Sequence, residues 1–246
     1  MFNRGRQVMR DQLGTYLPRV IMPMLGSEHV FYQLPKDADA PFGNLPQTRF
    51  TPHSPAQPGH KRLSLTFDDG PHPVSTPMLL EILDRYEIKA TFFLIGSNAL
   101  RYPDLVQEIE RRGHVIGNHS YSHPYGWKVS SLELIRDFHK GLLALTKMTS
   151  KPIRWQRPPY GNLTNKMVVW GVRQGIETLL WDLVISDYNP TSDYDLLKKF
   201  FLAKLRNRSI VCMHDNDVSV HYTPRLLAET IPQLLDENWH FQSLAA

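Results

Sequence analysis

The sequence predicts an α/β fold in which about seven parallel strands curl into a barrel. Three observations carry that expectation. Strand-like apolar runs alternate strictly with helical stretches from residue 61 onward, the pattern of a parallel sheet with right-handed crossovers. Side chains capable of chemistry collect directly after those runs, where parallel α/β folds build their sites. In a flat sheet, with strands ~4.8 Å apart, groups on ends spread over six strands would span roughly 20 Å. If they form one site, a closed or nearly closed barrel that aims them at one centre is favoured.

The elements follow in order. Residues 1–33 hold room for one short helix and a strand from His29 to Leu34, and 34–61 carries Pro35, Pro41, Pro46, Pro52, Pro55 and Pro58. Proline fixes φ and removes a donor, so this stretch is expected to be extended and free of helix. Residues 1–60 read as an N-terminal arm and 61–246 as the main domain. Leu63–Phe67 is the first strand of that domain. Pro77 then sits in the first turn of a helix with Leu79, Ile82, Leu83 and Tyr86 on one face. Ala90–Ile95 reads as a buried strand. Pro103 opens a helix that ends at Arg111-Arg112-Gly113, cations in the last turn and a glycine beyond it. His114–Asn118 is the third strand, and Ser130-x-x-Glu133 is a capping box before the next apolar face. Strand-like runs recur at Ile153–Arg157, Ile176–Trp181, Ser209–Met213 and Trp239–Leu244, with helical stretches between them.

Composition narrows the function classes. The 246 residues are 41% hydrophobic with five Trp, which excludes a wholly disordered chain. Cys212 is the single cysteine, so neither an internal disulfide framework nor a Cys-rich structural zinc site is available. No run approaches the ~18 apolar residues of a membrane span. The start MFNRGRQVMR is basic, but the apolar run behind it, Val20 to Leu25, is short and contains Pro23. That argues against an ordinary secretory signal, and the expected location is the cytoplasm. A net charge of +4, spread rather than blocked, gives no reason to expect nucleic acid. Nothing in the sequence sets the oligomeric state.

The chemistry lies in five segments: Asp68 and Asp69 in TFDDGP, His119 and His123 in HSYSH, Arg157 and Tyr160 in RPPYG, Asp187 in ISDY, and His214 in CMHD. His119 and His123 are four residues apart, so one helical turn or one tight loop can aim both rings at an ion. Asp69 would complete an Asp-His-His set that leaves coordination positions open for water. Such a donor set suits one divalent metal, Zn²⁺ first, with Co²⁺, Ni²⁺, Fe²⁺ or Mn²⁺ compatible. The alternative is a surface HxxxH and a loop of solvated acids. Strand alternation would point Asp68 and Asp69 in different directions, consistent with one holding metal and the other taking a proton. Arg157 ends an apolar strand, and there a guanidinium pairs more plausibly with a carboxylate such as Asp68 than with solvent. His214 follows an apolar run at a strand end, which favours a reactive role over a satisfied core position. His72 and His53 lack such support and read as structural or solvent-exposed. Trp127, Trp155, Trp170, Trp181 and Trp239 read as mostly core.

Taken together, the five segments resemble the NodB-type polysaccharide deacetylases of carbohydrate esterase family 4, over roughly residues 61–244. The resemblance implies a distorted, incomplete (β/α) barrel of seven strands and hydrolytic removal of N-acetyl groups from amino sugars of a poly- or oligosaccharide. It implies Asp69, His119 and His123 as metal ligands, Asp68 as general base and His214 as general acid oriented by Asp187. It further implies that Arg157 holds Asp68 and that the backbone N–H of Tyr160 helps bind the oxyanion. Two positions depart from the family pattern: Tyr188 stands where Trp is usual, and Cys212 where Leu is usual. In the family those side chains wall the acetyl methyl, so the size and polarity of that pocket are open here. Rival readings are a metal-dependent hydrolase of a small non-glycan amide or formamido sugar, and an inactive glycan-binding protein on the same fold.

Overall fold

The computed structural model describes residues 20–23, 29–31, 61–126 and 128–244. Its strands are β1 (Val20–Pro23), β2 (His29–Phe31), β3 (Lys61–Asp68), β4 (Thr91–Leu94), β5 (Val115–Asn118), β6 (Trp155–Gln156), β7 (Glu177–Leu179), β8 (Leu183–Val184), β9 (Ser209–His214) and β10 (Trp239–Phe241). The helices are α1 (Ser75–Arg85), α2 (Gly96–Arg101), α3 (Pro103–Arg111), α4 (Ser131–Thr146), α5 (Asn165–Arg173), α6 (Tyr194–Lys204) and α7 (Thr223–Asp236).

β3 is the hub. It runs parallel to β9 from Leu63↔Ser209 to Asp68↔His214. On its other edge it pairs with β10 at its start and with β4 at its end. The sheet order is β2-β1-β7-β6-β5-β4-β3-β9-β8, and every pair is parallel except β1–β2. β7 and β8 lie far apart in that order, yet only residues 180–182 join them. Four residue steps reach at most ~14 Å, so the sheet must curl until its two flanks nearly meet. They do not pair; the open edge of β7 takes β1 instead. The result is the expected incomplete barrel of seven parallel strands, with β8 as a short addition.

Period-two alternation divides β3 between two environments. Leu63, Leu65 and Phe67 face the helices, packed with Leu79 and Leu83 of α1 and Leu227 and Ile231 of α7. Ser64, Thr66 and Asp68 lie on the opposite face and are all buried. Inside the barrel Phe93, Trp155, Leu179, Ile210 and Leu244 form a separate apolar plug. A polar track in β3 above an apolar plug places the chemistry at the carboxyl ends of the strands.

The helix starts are locally encoded. Ser130 accepts the Glu133 N–H while the Glu133 carboxylate accepts the Ser130 N–H, completing the expected capping box of α4. Thr164 and Asp193 cap α5 and α6 in the same sense. Gly113, at φ 79°, ends α3 as its position predicts.

Several expectations change in detail. Ile153–Arg157 pairs only at Trp155–Gln156, and Ile176–Trp181 only at Glu177–Leu179. Asp187 therefore follows β8 rather than the fifth run itself. α2 was not expected from the sequence. Of the strand expected at His29–Leu34, His29–Phe31 is β2, and residues 32–34 lie outside the described residues. The N-terminal helix, the Pro-rich stretch, His53 and Trp127 lie outside the described residues.

Candidate active site

Five strand ends, those of β3, β5, β6, β8 and β9, contribute side chains to one cluster. Asp68 closes β3 and Asp69 follows it with φ 78°, a left-handed backbone that breaks strand alternation. The two acids consequently do not diverge as alternation predicts. Asp68 Oδ2 lies 3.8 Å and Asp69 Oδ1 3.6 Å from the same atom, His119 Nε2. His119 and His123 sit on a tight loop rather than a helical turn, with Ser120 and His123 also at positive φ. The loop is held from α4: Asp137 Oδ1 accepts the Tyr121 and Ser122 N–H groups at 2.8 and 3.1 Å. Gly141 permits this contact, because a Cβ there would lie 2.6 Å from the Ser120 carbonyl oxygen.

The Asp69, His119 and His123 donor atoms all lie within 4.8 Å of one another. His123 Nε2 is 3.2 Å from Asp69 Oδ1, yet that buried oxygen has no hydrogen-bond partner among the described residues. His119 Nδ1 meets the Arg157 carbonyl at 2.8 Å, which assigns the ring proton to Nδ1 and leaves the Nε2 lone pair facing the acids. Burial holds the His119 ring below the ordinary histidine value, so it is neutral. Burial opposes ionisation of Asp69, but the facing His123 and His119 outweigh it and keep its carboxyl well below the usual range. An orphaned carboxylate oxygen opposite two imidazole nitrogens is the donor set a divalent cation requires, so the residues fit a metal.

Arg157 is fully buried. Its Nη1 donates to Asp68 Oδ1 and Thr66 Oγ1, both at 2.7 Å, while Nε and Nη2 reach the Leu179 and Leu180 carbonyls. A buried guanidinium with a carboxylate and three further acceptors fixes one oxygen of Asp68 and leaves the other toward the histidines. Across β9, Asp187 accepts from His214 Nδ1 and from the His214 backbone N–H, each at 2.7 Å. Burial alone would lower the His214 pKa; the Asp187 carboxylate overrides it and pushes the ring up to about 9. At neutral pH this histidine is an imidazolium.

A profile for the polysaccharide deacetylases matches residues 56–178. The chain belongs to that family. A peptidoglycan-N-acetylglucosamine deacetylase of Bacillus cereus is 33% identical over 74% of this chain and 66% of its own length. One from Listeria monocytogenes is 33% identical over 81% of this chain and 41% of its own length. The chain thus spans less than two-thirds of these relatives. A crystal structure of a peptidoglycan N-acetylglucosamine deacetylase superposes with a TM-score of 0.71 at 32% identity, covering 76% of this chain and 88% of the other.

The remaining family positions have these surroundings. Tyr160 lies in a short 3₁₀ turn at φ 57°, its ring 4.7 Å from the His123 ring. Tyr188 is half-exposed, edge-on to His214 at 5.0 Å. Cys212 is buried on the same face of β9 as His214, and its thiol lies 3.4 Å from Asp68 Oδ2. His72 is structural, as expected: Nδ1 accepts the Val74 and Ser75 N–H groups at the start of α1, and Nε2 meets Asp217. Trp155 and Trp239 are core, whereas Trp181 is half-buried beside Arg157.

Sequence reasoning missed three supporting residues. Asn216 Nδ2 donates to Asp69 Oδ2 at 2.8 Å, Asn98 Nδ2 to the Asp69 carbonyl at 2.8 Å, and Thr223 Oγ1 to Asp187 Oδ2 at 2.6 Å. Asn216, two residues past His214, carried a positional signal; the other two did not. Beside Asp69 and His123 opens a groove of about 430 Å³, bordered by Asn98, Arg101, Tyr102 and Asp217.

Proposed function

We propose that this protein is a metal-dependent hydrolase that removes N-acetyl groups from amino-sugar residues of a poly- or oligosaccharide, releasing acetate and a free amine. One observation carries the reading. An Asp-His-His donor set, an arginine-held carboxylate and an aspartate-paired imidazolium occupy neighbouring strand ends at the mouth of one barrel. The named activities of the relatives support the substrate class.

Asp69, His119 and His123 would hold the ion, with zinc favoured by the mixed imidazole and carboxylate donors. When bound, it supplies a Lewis acid for the amide carbonyl and lowers the pKa of water from 15.7 toward ~7. The chain's own groups account for the proton movements. Asp68, its Oδ1 fixed by Arg157, takes a proton from the attacking water through Oδ2. The Tyr160 backbone N–H, on the left-handed turn beside His123, donates to the developing oxyanion. His214, charged through Asp187, gives its proton to the leaving amine, which could not depart as an anion. The open groove beside Asp69 and His123 leaves room for sugars flanking the reacting residue.

Acetate release by the purified protein from peptidoglycan, chitin oligomers and poly-N-acetylglucosamine tests the reading. Release from at least one, abolished by chelation, supports it. Release only from small amides or formamido sugars moves the substrate class. Glycan binding without any release overturns the hydrolase.

A further inference from the structure

Beside the Asp-His-His set lies a second group of donors, two of which the proposed reaction uses for proton transfer and the third, Cys212, not at all. Asp68, Cys212 and His214 each offer a ligand atom, and these three atoms lie within 4.8 Å of one another. The register explains their meeting. Asp68↔His214 and Thr66↔Cys212 are neighbours across the β3–β9 pair, and period-two alternation sends Asp68, Cys212 and His214 to the same side.

Asp68 and His214 each have their other polar atom already engaged by a fixed partner. Asp68 Oδ1 is bonded to Arg157, leaving Oδ2, which is 3.4 Å from the Cys212 sulfur. His214 Nδ1 is bonded to Asp187, leaving Nε2, and Asp187 is itself held by Thr223. A carboxylate behind a histidine is the outer support that orients imidazoles on metals. The donor set differs in kind from its neighbour, because it contains sulfur. Thiolate sulfur selects soft ions, whereas Asp69, His119 and His123 offer only nitrogen and oxygen.

We propose that Asp68, Cys212 and His214 form a second, inhibitory metal site selective for thiophilic divalent ions such as Cd²⁺. Binding breaks the S–H bond of Cys212 and the Nε2–H bond of His214, and forms metal–sulfur, metal–nitrogen and metal–oxygen bonds. Two protons go to solvent per ion, and no electrons are exchanged. The bound ion occupies the groups proposed as base and acid together, so turnover stops while the first ion stays in place. The inhibitory consequence rests on the deacetylase reading; the binding does not.

The test uses protein loaded with one equivalent of zinc and titrated with Cd²⁺. Cys212 is the single cysteine of the chain, so ultraviolet thiolate-to-cadmium charge-transfer absorption can arise from no other residue. The wild type should develop that band to one equivalent, without releasing zinc, in step with loss of acetate release. Cys212→Ser and Cys212→Ala should lack the band, and their Cd²⁺ inhibition, relative to each variant's own rate, should need at least about tenfold more ion. Asp187→Asn, which keeps the thiol, should keep the band but weaken binding by about 10–100-fold. No band in the wild type, or zinc displaced in proportion to Cd²⁺ bound, overturns the site. A band with no acetate release under any condition leaves the site standing and removes the deacetylase reading instead.

Discussion

β5 carries a histidine at each of its ends, and the two have opposite surroundings. His114 precedes the strand at the closed end of the barrel; His119 follows it at the mouth. Each is 2% exposed. His114 accepts the Ala90 N–H through Nδ1, packs edge-on against Phe92 at 5.3 Å, and its Nε2 has no hydrogen-bond partner among the described residues. Burial, reinforced by nearby Lys89, pushes its pKa down to about 4. His119 is also buried and neutral, but its free nitrogen faces two carboxylates from β3. Burial and a shifted pKa are therefore common to a packing histidine and a candidate ligand. What separates them is the convergence of carboxylates on the unprotonated nitrogen.

The largest expected effect contrasts the two directly. His119→Ala should lose both bound metal and acetate release, while His114→Ala should retain one ion per chain. Elemental analysis of the purified variants checks this, and full occupancy in His119→Ala would break the contrast. Next in size are Asp68→Asn and His214→Ala. Each should keep near-normal metal and lose ~10²–10⁴-fold in kcat/KM, the usual share of a general base or acid. A residual rate above a few per cent would remove the assigned role.

Asp187→Asn should produce a smaller and more specific change. His214 sits at about 9 in the folded protein because of Asp187, so the acid is protonated below that pH and is lost as pH rises through it. Without the carboxylate, the alkaline limb of kcat/KM should move to lower pH, while bound metal is unchanged. A pH–rate profile with an unmoved alkaline limb would detach His214 from that limb.

His114→Gln should give the smallest effect on activity, with kcat/KM unchanged, and a measurable one on stability. The ordinary histidine value is 6.5 and the folded one about 4, so between them the unfolded chain binds more protons. Stability thus rises with pH across that window; the contribution is fully present above 6.5 and lost as pH falls through 4. It amounts to roughly 3 kcal/mol. Denaturant unfolding at several pH values should show a flatter dependence in the variant than in the wild type.

How much of this the sequence disclosed depended on the range of the interactions involved. Several strands are shorter than the apolar runs that announce them, but the alternation of strands and helices, the α4 capping box and the Gly113 stop are written in local spacing and appear where the sequence places them. So does the gathering of Asp68, His119, Arg157, Asp187 and His214, because alternation of strand and helix puts all of them at one end. The direction of Asp69 was misread, since a left-handed φ just past a strand has no composition signal when the residue is not glycine. β8 is two residues long and stabilised by pairing with β9, which no local pattern encodes. The contacts of Asn98 and Thr223 depend on helix starts packed beside the mouth, again a tertiary matter. The Cys212–Asp68 contact follows from the β3–β9 register, which the sequence does not set.

The central claim is that one ion at the mouth of the barrel enables deacetylation. Metal-free protein titrated with Zn²⁺ while acetate release is followed tests it most directly. The account predicts no release at the start, a linear rise to one equivalent per chain, and no further gain. Full turnover by metal-free protein, or a rise that continues to two equivalents, would contradict it.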